Sequence, residues 1–99
     1  MSKQAIIISG NLAQDHEFIY PYYRLLEEEF TVDVCLIEGK PVEGILGTKI
    51  PPNKDQIIKK IDEVSVDNYK LLVLPGGVKA MEKIRQEKKI IKFISEFDK

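Results

Sequence analysis

One cysteine, one histidine and a formal net charge of −1 are all that the 99 residues offer in the way of unusual chemistry. A single cysteine excludes an internal disulfide framework and fits a reducing, cytoplasmic setting. Lysine and arginine are spread along the chain, so neither a nucleic-acid surface nor a polybasic membrane surface is indicated. No apolar run approaches the ~20 residues of a membrane span. The run Ala5–Ile8 is shorter than the core of a secretory leader. No His/Cys/Asp cluster has metal-ligand spacing and no phosphate-loop motif occurs, so no cofactor and no metal are expected. Internal repeats, low-complexity segments and linkers are also lacking. What is left is ordinary: 43% hydrophobic and 31% charged residues, enough for one α/β domain over residues 1–99.

The most informative segment is Leu71-Leu72-Val73-Leu74-Pro75-Gly76-Gly77. Four consecutive aliphatics suit a strand buried on both faces of a parallel sheet. Pro75 ends the ladder because it has no N–H to donate, and the two glycines let backbone amides face outward. Amides exposed at the carboxyl end of a strand can cradle negative charge. The same turn can equally be tight packing between a strand and a helix.

Periodicity supplies the rest of the frame. Gln4–Ser9 reads as a buried strand, followed by a turn at Gly10-Asn11. Asp15 is expected to cap a helix over 16–29, with Phe18, Ile19, Tyr22, Tyr23, Leu25, Leu26 and Phe30 as its apolar stripe. Residues 31–37 alternate and suggest a strand near the sheet's edge. Short β-like pieces around Val42 and 48–50 predict a small hairpin or arm. Asp55 is expected to cap a helix carrying Ile57, Ile58, Ile61 and Val64. Further helices are expected over 78–84 and 86–97, the last with Ile90, Ile91, Ile94 and Phe97 on one side. Such a series is α/β, yet it ends on a helix with no strand to follow. The pattern reads as a sheet that stops early.

In a doubly wound sheet, loops at the carboxyl ends of neighbouring strands converge where ligands bind. Residues 10–17 and 75–77 arrive there together, bringing Glu17 beside the amides of the turn. Pro21 adds to this: it cannot bond the carbonyl of Glu17 four residues back, which predicts a kink or an irregular start to the helix. Two readings of Glu17 stand at this point. It is either a functional acid or a first-turn carboxylate complementing the helix dipole.

Asp15-His16-Glu17-Phe18-Ile19-Tyr20-Pro21-Tyr22-Tyr23-Arg24-Leu25, then Val32-Asp33-Val34, then the Leu71–Gly77 block, resemble the DJ-1/PfpI family in order over essentially the whole chain. The similarity is to its PfpI-type branch, described as intracellular cysteine proteases or as glyoxalase- and deglycase-like enzymes. It implies a flavodoxin-like three-layer sandwich with a parallel sheet, related to class I glutamine amidotransferases. It also implies a small-molecule or peptide substrate and a homo-oligomer. By position, Glu17 matches the family's acid beside the nucleophilic thiol, Gly77 the glycine whose amide helps form the oxyanion hole, and Gly76 the supporting turn. A protonated Glu can donate to a thiolate and lower its pKa, while an amide stabilises a developing oxyanion.

The departures are as specific as the matches. The family's nucleophile block, of the type A-I-C-H-G, does not occur, and the sole cysteine, Cys35, falls in a strand. A strand cysteine is expected to behave as a small hydrophobe. His16 stands at a position the family varies and is expected to be a partly exposed helix-start residue. The loop usually resembling D-G-F-E-D reads Asn11-Leu12-Ala13-Gln14-Asp15, and the G-K-H-G segment reads Gly44-Ile45-Leu46-Gly47. The arginine usual after the double glycine is replaced by Val78 or Lys79. Tyr20, Tyr22 and Tyr23 are expected to serve core and interface packing. Two functions remain: the amino-terminal part of a cysteine-dependent hydrolase or glyoxalase-like enzyme, inactive by itself, or a non-catalytic module that pairs with itself or a complementing chain.

Overall fold

A computed structural model describes residues 3–76 and 87–97. Four parallel strands form the main sheet: β1 (Gln4–Ser9), β2 (Thr31–Leu36), β5 (Ile58–Lys59) and β6 (Leu71–Val73), in the order β5-β2-β1-β6. Helix α1 (Asp15–Glu27) connects β1 to β2, and α2 (Lys88–Phe97) closes the described chain. Strands β3 (Val42–Glu43) and β4 (Lys49–Ile50) pair antiparallel as the expected hairpin. No helix among the described residues is long and apolar enough to cross a membrane.

Alternation along the central strand builds both halves of the core. Ala5 and Ile7 of β1 face one way, with Val32, Val34 and Leu36 of β2, and meet Phe18, Tyr22 and Leu25 of α1. Val42 and Ile50 of the hairpin complete that cluster. Ile6 and Ile8 face the other way with Cys35 and meet Tyr69, Ile90 and Phe93. Both faces of β1 are fully buried, which is why its sequence is continuously aliphatic rather than alternating. Each buried aliphatic contributes roughly 1.5–3 kcal/mol, so this strand and its two helices carry most of the described fold.

Several expectations need correction. Residues 57–64 do not form a helix: Ile58 and Lys59 pair with Val34 and Cys35 as a short strand, followed by 3-10 turns at Ile61–Glu63 and Val66–Asn68. β-branched isoleucines next to a strand edge gain more from the ladder than from a helix. That addition moves β2 one place in from the sheet's edge. Strand β6 is one residue shorter than expected and half-buried, with Leu71 38% exposed, because among the described residues it pairs only with β1. Helix α2 buries Ile90 and Phe93, whereas Ile91 is exposed. The helix expected over 78–84 lies outside the described residues.

Helix α1 is not capped by Asp15. Gln14 is the N-cap, its side-chain oxygen accepting from the Glu17 amide at 3.1 Å. The helix continues through Pro21. It ends where Glu29 turns to φ 66° and the Phe30 amide bonds the Leu25 carbonyl at 3.0 Å. This is a left-handed helix end built without the usual glycine. The tyrosines divide: Tyr22 is fully buried and donates to Gln56 Oε1 at 2.7 Å, while Tyr20 is 77% exposed and Tyr23 is 43% exposed. Tyr20 is therefore not a core residue.

Candidate functional site

The loop after β1 and the segment after β6 meet, as the topology requires. The Gln14 amide donates to the Gly76 carbonyl at 2.9 Å, stitching the start of α1 to the turn. Glu17, one turn further on, lays its carboxylate directly on Gly76. A Cβ built at Gly76 would overlap Glu17 Oε1 and come within 2.8 Å of Cδ. A side chain there would displace the Glu17 carboxylate, so it is glycine at 76 that lets the acid rest on the backbone. Two of the residues selected from the sequence, Glu17 and Gly76, are thus brought into contact. The third, Gly77, lies outside the described residues.

The local sequence explains the arrangement. Pro21 supplies no N–H to the Glu17 carbonyl, and the Gln14 side chain takes the Glu17 amide instead of leaving it to solvent. Glu17 itself is exposed, with its acid at the carboxyl end of the β1–β6 pair. Pro75 is buried beside it. His16 is exposed, as expected for a helix-start residue.

Cys35 is excluded from this site. It sits one residue before the end of β2, fully buried beneath α2, in register with Ile8. Burial, with a smaller push from the Glu63 carboxylate, drives its thiol pKa up to about 12. A thiol so poorly ionised near neutral pH is a packing group.

A second acid, Asp15, does something the sequence did not reveal. Its carboxylate is 1% exposed and accepts from the Leu46 amide at 2.8 Å and from the Thr48 amide at 3.0 Å. Gly44 lies against the same carboxylate, leaving no room for a Cβ. The Ala13 carbonyl accepts from Ile45, and the Glu43 carbonyl accepts from Leu12. Asn11 Oδ1 accepts from the Glu43 amide at 3.3 Å. The hairpin is thereby fastened to residues 11–15, the same loop that positions Glu17. Burial raises the Asp15 pKa, but the amides of Leu46 and Thr48 and the Thr48 hydroxyl more than offset this, leaving it below its ordinary 3.8. The available signal was the pair Gly44 and Gly47, the latter at φ +86°, which folds amides inward between β3 and β4.

A family model for the DJ-1/PfpI family matches residues 3–99. The chain belongs to the DJ-1/PfpI family. Deglycase PfpI of Pyrococcus furiosus is 35% identical over 86 residues, covering 87% of this chain and 48% of that protein. A deglycase of Thermococcus kodakarensis is 32% identical over 88 residues, covering 89% of this chain and 49% of its own length. The chain thus spans about half the length of the curated relatives it matches. Among solved structures, a two-domain protein of Anabaena variabilis containing DJ-1/ThiJ/PfpI-like and ferritin-like domains gives a TM-score of 0.82 at 24% identity, over 97% of this chain and 26% of that one. Schizosaccharomyces pombe DJ-1 gives 0.78 at 15% identity, over 95% of this chain and 51% of its own. At these identities the likeness establishes the fold: the parallel sheet of this DJ-1/PfpI chain is flavodoxin-like. The order β2-β1-β6 is that of the fold's first half, and the Glu17–Gly76 contact lies at its β1/β6 switch point.

Among the described residues no group of His, Cys, Asp and Glu is arranged to hold a metal ion. What the described residues supply here is an exposed carboxylate, Glu17, seated on the backbone of Gly76.

Proposed function

We propose that this chain supplies the acid-and-amide half of a cysteine-dependent site acting on small carbonyl compounds, in the manner implied by its deglycase-named relatives. The observation that carries the reading is the seating of the Glu17 carboxylate on Gly76 at the carboxyl ends of β1 and β6. Glu17, protonated, donates a hydrogen bond to a thiolate and keeps it ionised. The thiolate adds to a carbonyl carbon, the C=O π electrons move to oxygen, and the Gly77 amide holds the resulting negative charge. The thiolate is supplied from outside these 99 residues, because Cys35 is their one cysteine and is sealed beneath α2.

The test uses the full-length protein that carries these residues, assayed for thiol-dependent consumption of methylglyoxal. Glu17→Ala is expected to lower kcat by about a hundredfold, whereas Cys35→Ala leaves it within about twofold, since a buried packing group takes no part in chemistry. Unchanged turnover in Glu17→Ala, or loss of turnover in a folded Cys35→Ala, overturns the reading. So does thiol-dependent turnover by the 99-residue chain alone.

One observation favours a second reading as well. Among the described residues β6 is hydrogen-bonded on one side only, and its Leu71 is 38% exposed. An open parallel edge invites pairing with a second copy or a complementing chain. Size exclusion of the 99-residue chain at micromolar concentration decides this: a cooperatively folding monomer counts against assembly.

A further inference from the structure

Two glutamates of this chain stand at the third residue of a helical turn, and their carboxylates are used differently. Glu63 follows Lys60, the residue before the 3-10 turn, and its Oε1 accepts from the Lys60 amide at 2.8 Å. That is the acid's half of a capping box, in which the carboxylate is spent on a local donor. Glu17 follows Gln14, the N-cap of α1, at the same spacing. Here the Gln14 amide donates instead to the Gly76 carbonyl at 2.9 Å. The donor that would draw Glu17 back onto the cap is taken by the residue on which Glu17 rests. Among the described residues the Glu17 carboxylate accepts no hydrogen bond.

The other half of the box is kept. Gln14 Oε1 accepts from the Glu17 amide at 3.1 Å, and the Gln14 carbonyl accepts from the same amide at 3.1 Å. N-caps favour short acceptors such as serine, asparagine and aspartate. Asp15 is committed to the Leu46 and Thr48 amides, so the cap falls to the longer glutamine. Its hold matters because Pro21 has no N–H for the Glu17 carbonyl in the following turn. Glu17 is therefore anchored from its amino-terminal side, through Gln14.

We infer that Gln14 is a positioning residue of this site: its side chain fixes the Glu17 backbone, and its amide, by bonding Gly76, releases the Glu17 carboxylate from the cap. The effect on turnover rests on the proposed role of Glu17. The hold on the Glu17 amide does not.

The experiment compares Gln14→Ala, which removes the side-chain acceptor, with Gln14→Ser, a short cap whose hydroxyl reaches the same third amide. In the full-length protein consuming methylglyoxal, Gln14→Ala is expected to lower kcat about tenfold with KM within about twofold. Gln14→Ser should recover kcat to within about threefold of the parent. Made in the Glu17→Ala background, Gln14→Ala should change kcat by less than about twofold, because it acts through the acid. A merely structural cap lowers kcat by the same factor with or without Glu17, and that result overturns the assignment. So does an unchanged kcat in Gln14→Ala, a loss that falls on KM, or a loss that serine does not recover. In parallel, hydrogen exchange is followed at the Glu17 amide of the 15N-labelled 99-residue chain. It should quicken about fivefold in Gln14→Ala and return toward the parent rate in Gln14→Ser; an unchanged rate in Gln14→Ala overturns the hold. If Glu17→Ala retains full turnover while the exchange rates change in this way, the catalytic reading falls and the anchoring of Glu17 stands.

Discussion

The chain makes one contact twice, with opposite mechanical consequences. At Gly44 and at Gly76 a carboxylate occupies the space where a Cβ would be, Asp15 in the first case and Glu17 in the second. The two acids are two residues apart on the first turn of α1 and face different neighbours. Asp15 is buried, short and held by two backbone amides from the hairpin. Glu17 is exposed, one methylene longer, and rests on the turn after β6. The buried acid fastens the hairpin to the start of α1, and the exposed acid rests on the turn after β6 from that same start.

Substitution at the two glycines breaks the comparison most directly. Gly44→Ala forces a methyl group into a carboxylate that cannot withdraw without abandoning the Leu46 and Thr48 amides. Overpacking of this kind costs about 1–3 kcal/mol, and urea denaturation of the variant should show it. The hairpin amides at 46 and 48 should also lose protection from hydrogen exchange. A Gly44→Ala variant as stable as the parent would mean that Asp15 is free to move and that the fastening does not exist.

Leu12 gives the next largest effect, because its loop is what the fastening holds. Leu12→Gly should be more stable than Leu12→Ala by about 1 kcal/mol, reversing the usual order of the two residues, since only glycine accepts φ 66° without strain. Equal stabilities would show that the backbone at 12 relaxes once the side chain is removed.

Acid sharpens the distinction further. The Asp15 pKa is lower folded than unfolded, so its contribution to stability is fully present above the unfolded value of about 3.8. That contribution is lost as pH falls through the lower folded value. Between pH 5 and pH 2 the parent should therefore lose stability more steeply than Asp15→Asn, measured as melting temperature against pH. Parallel curves would remove Asp15 from the acid limb.

The frame was legible where burial is complete and obscure where neighbours decide. Ala5–Ile8 could only be a strand sealed on both faces; the helical stripe was drawn too wide, since Phe18, Tyr22 and Leu25 are buried whereas Tyr23 and Leu26 are exposed. Glu17 and Gly76 were found because topology brings the carboxyl ends of adjacent strands together. Residues 57–64 misled because four aliphatics at helical spacing also suit an edge strand followed by 3-10 turns, and pairing with β2 outweighed local pattern. Asp15 looked like a cap because a carboxylate before a helix usually is one. Its true partners lie 31 and 33 residues away, at Leu46 and Thr48, and no local rule reaches that far. Leu12 was legible only through the resemblance, where it stands at the glycine of D-G-F-E-D; its own type carries no sign of the left-handed backbone that bonds from the hairpin impose.

The smallest effect on stability is the one that bears most on function. In Gly76→Ala the new methyl meets the far end of an exposed, flexible side chain, so Glu17 can swing aside at a cost of less than about 0.5 kcal/mol. Folding should be nearly indifferent, and the Gln14 amide should keep its bond to the residue 76 carbonyl, which a Cβ does not obstruct. The acid, however, leaves the position from which it would serve a thiolate. In the full-length protein Gly76→Ala should therefore resemble Glu17→Ala in kcat while melting with the parent, and the double variant should be little worse than either alone. Full activity in Gly76→Ala, with the melting temperature preserved, would mean that contact with the turn does not position Glu17. An additive loss in the double variant would mean that the glycine acts on something other than the acid.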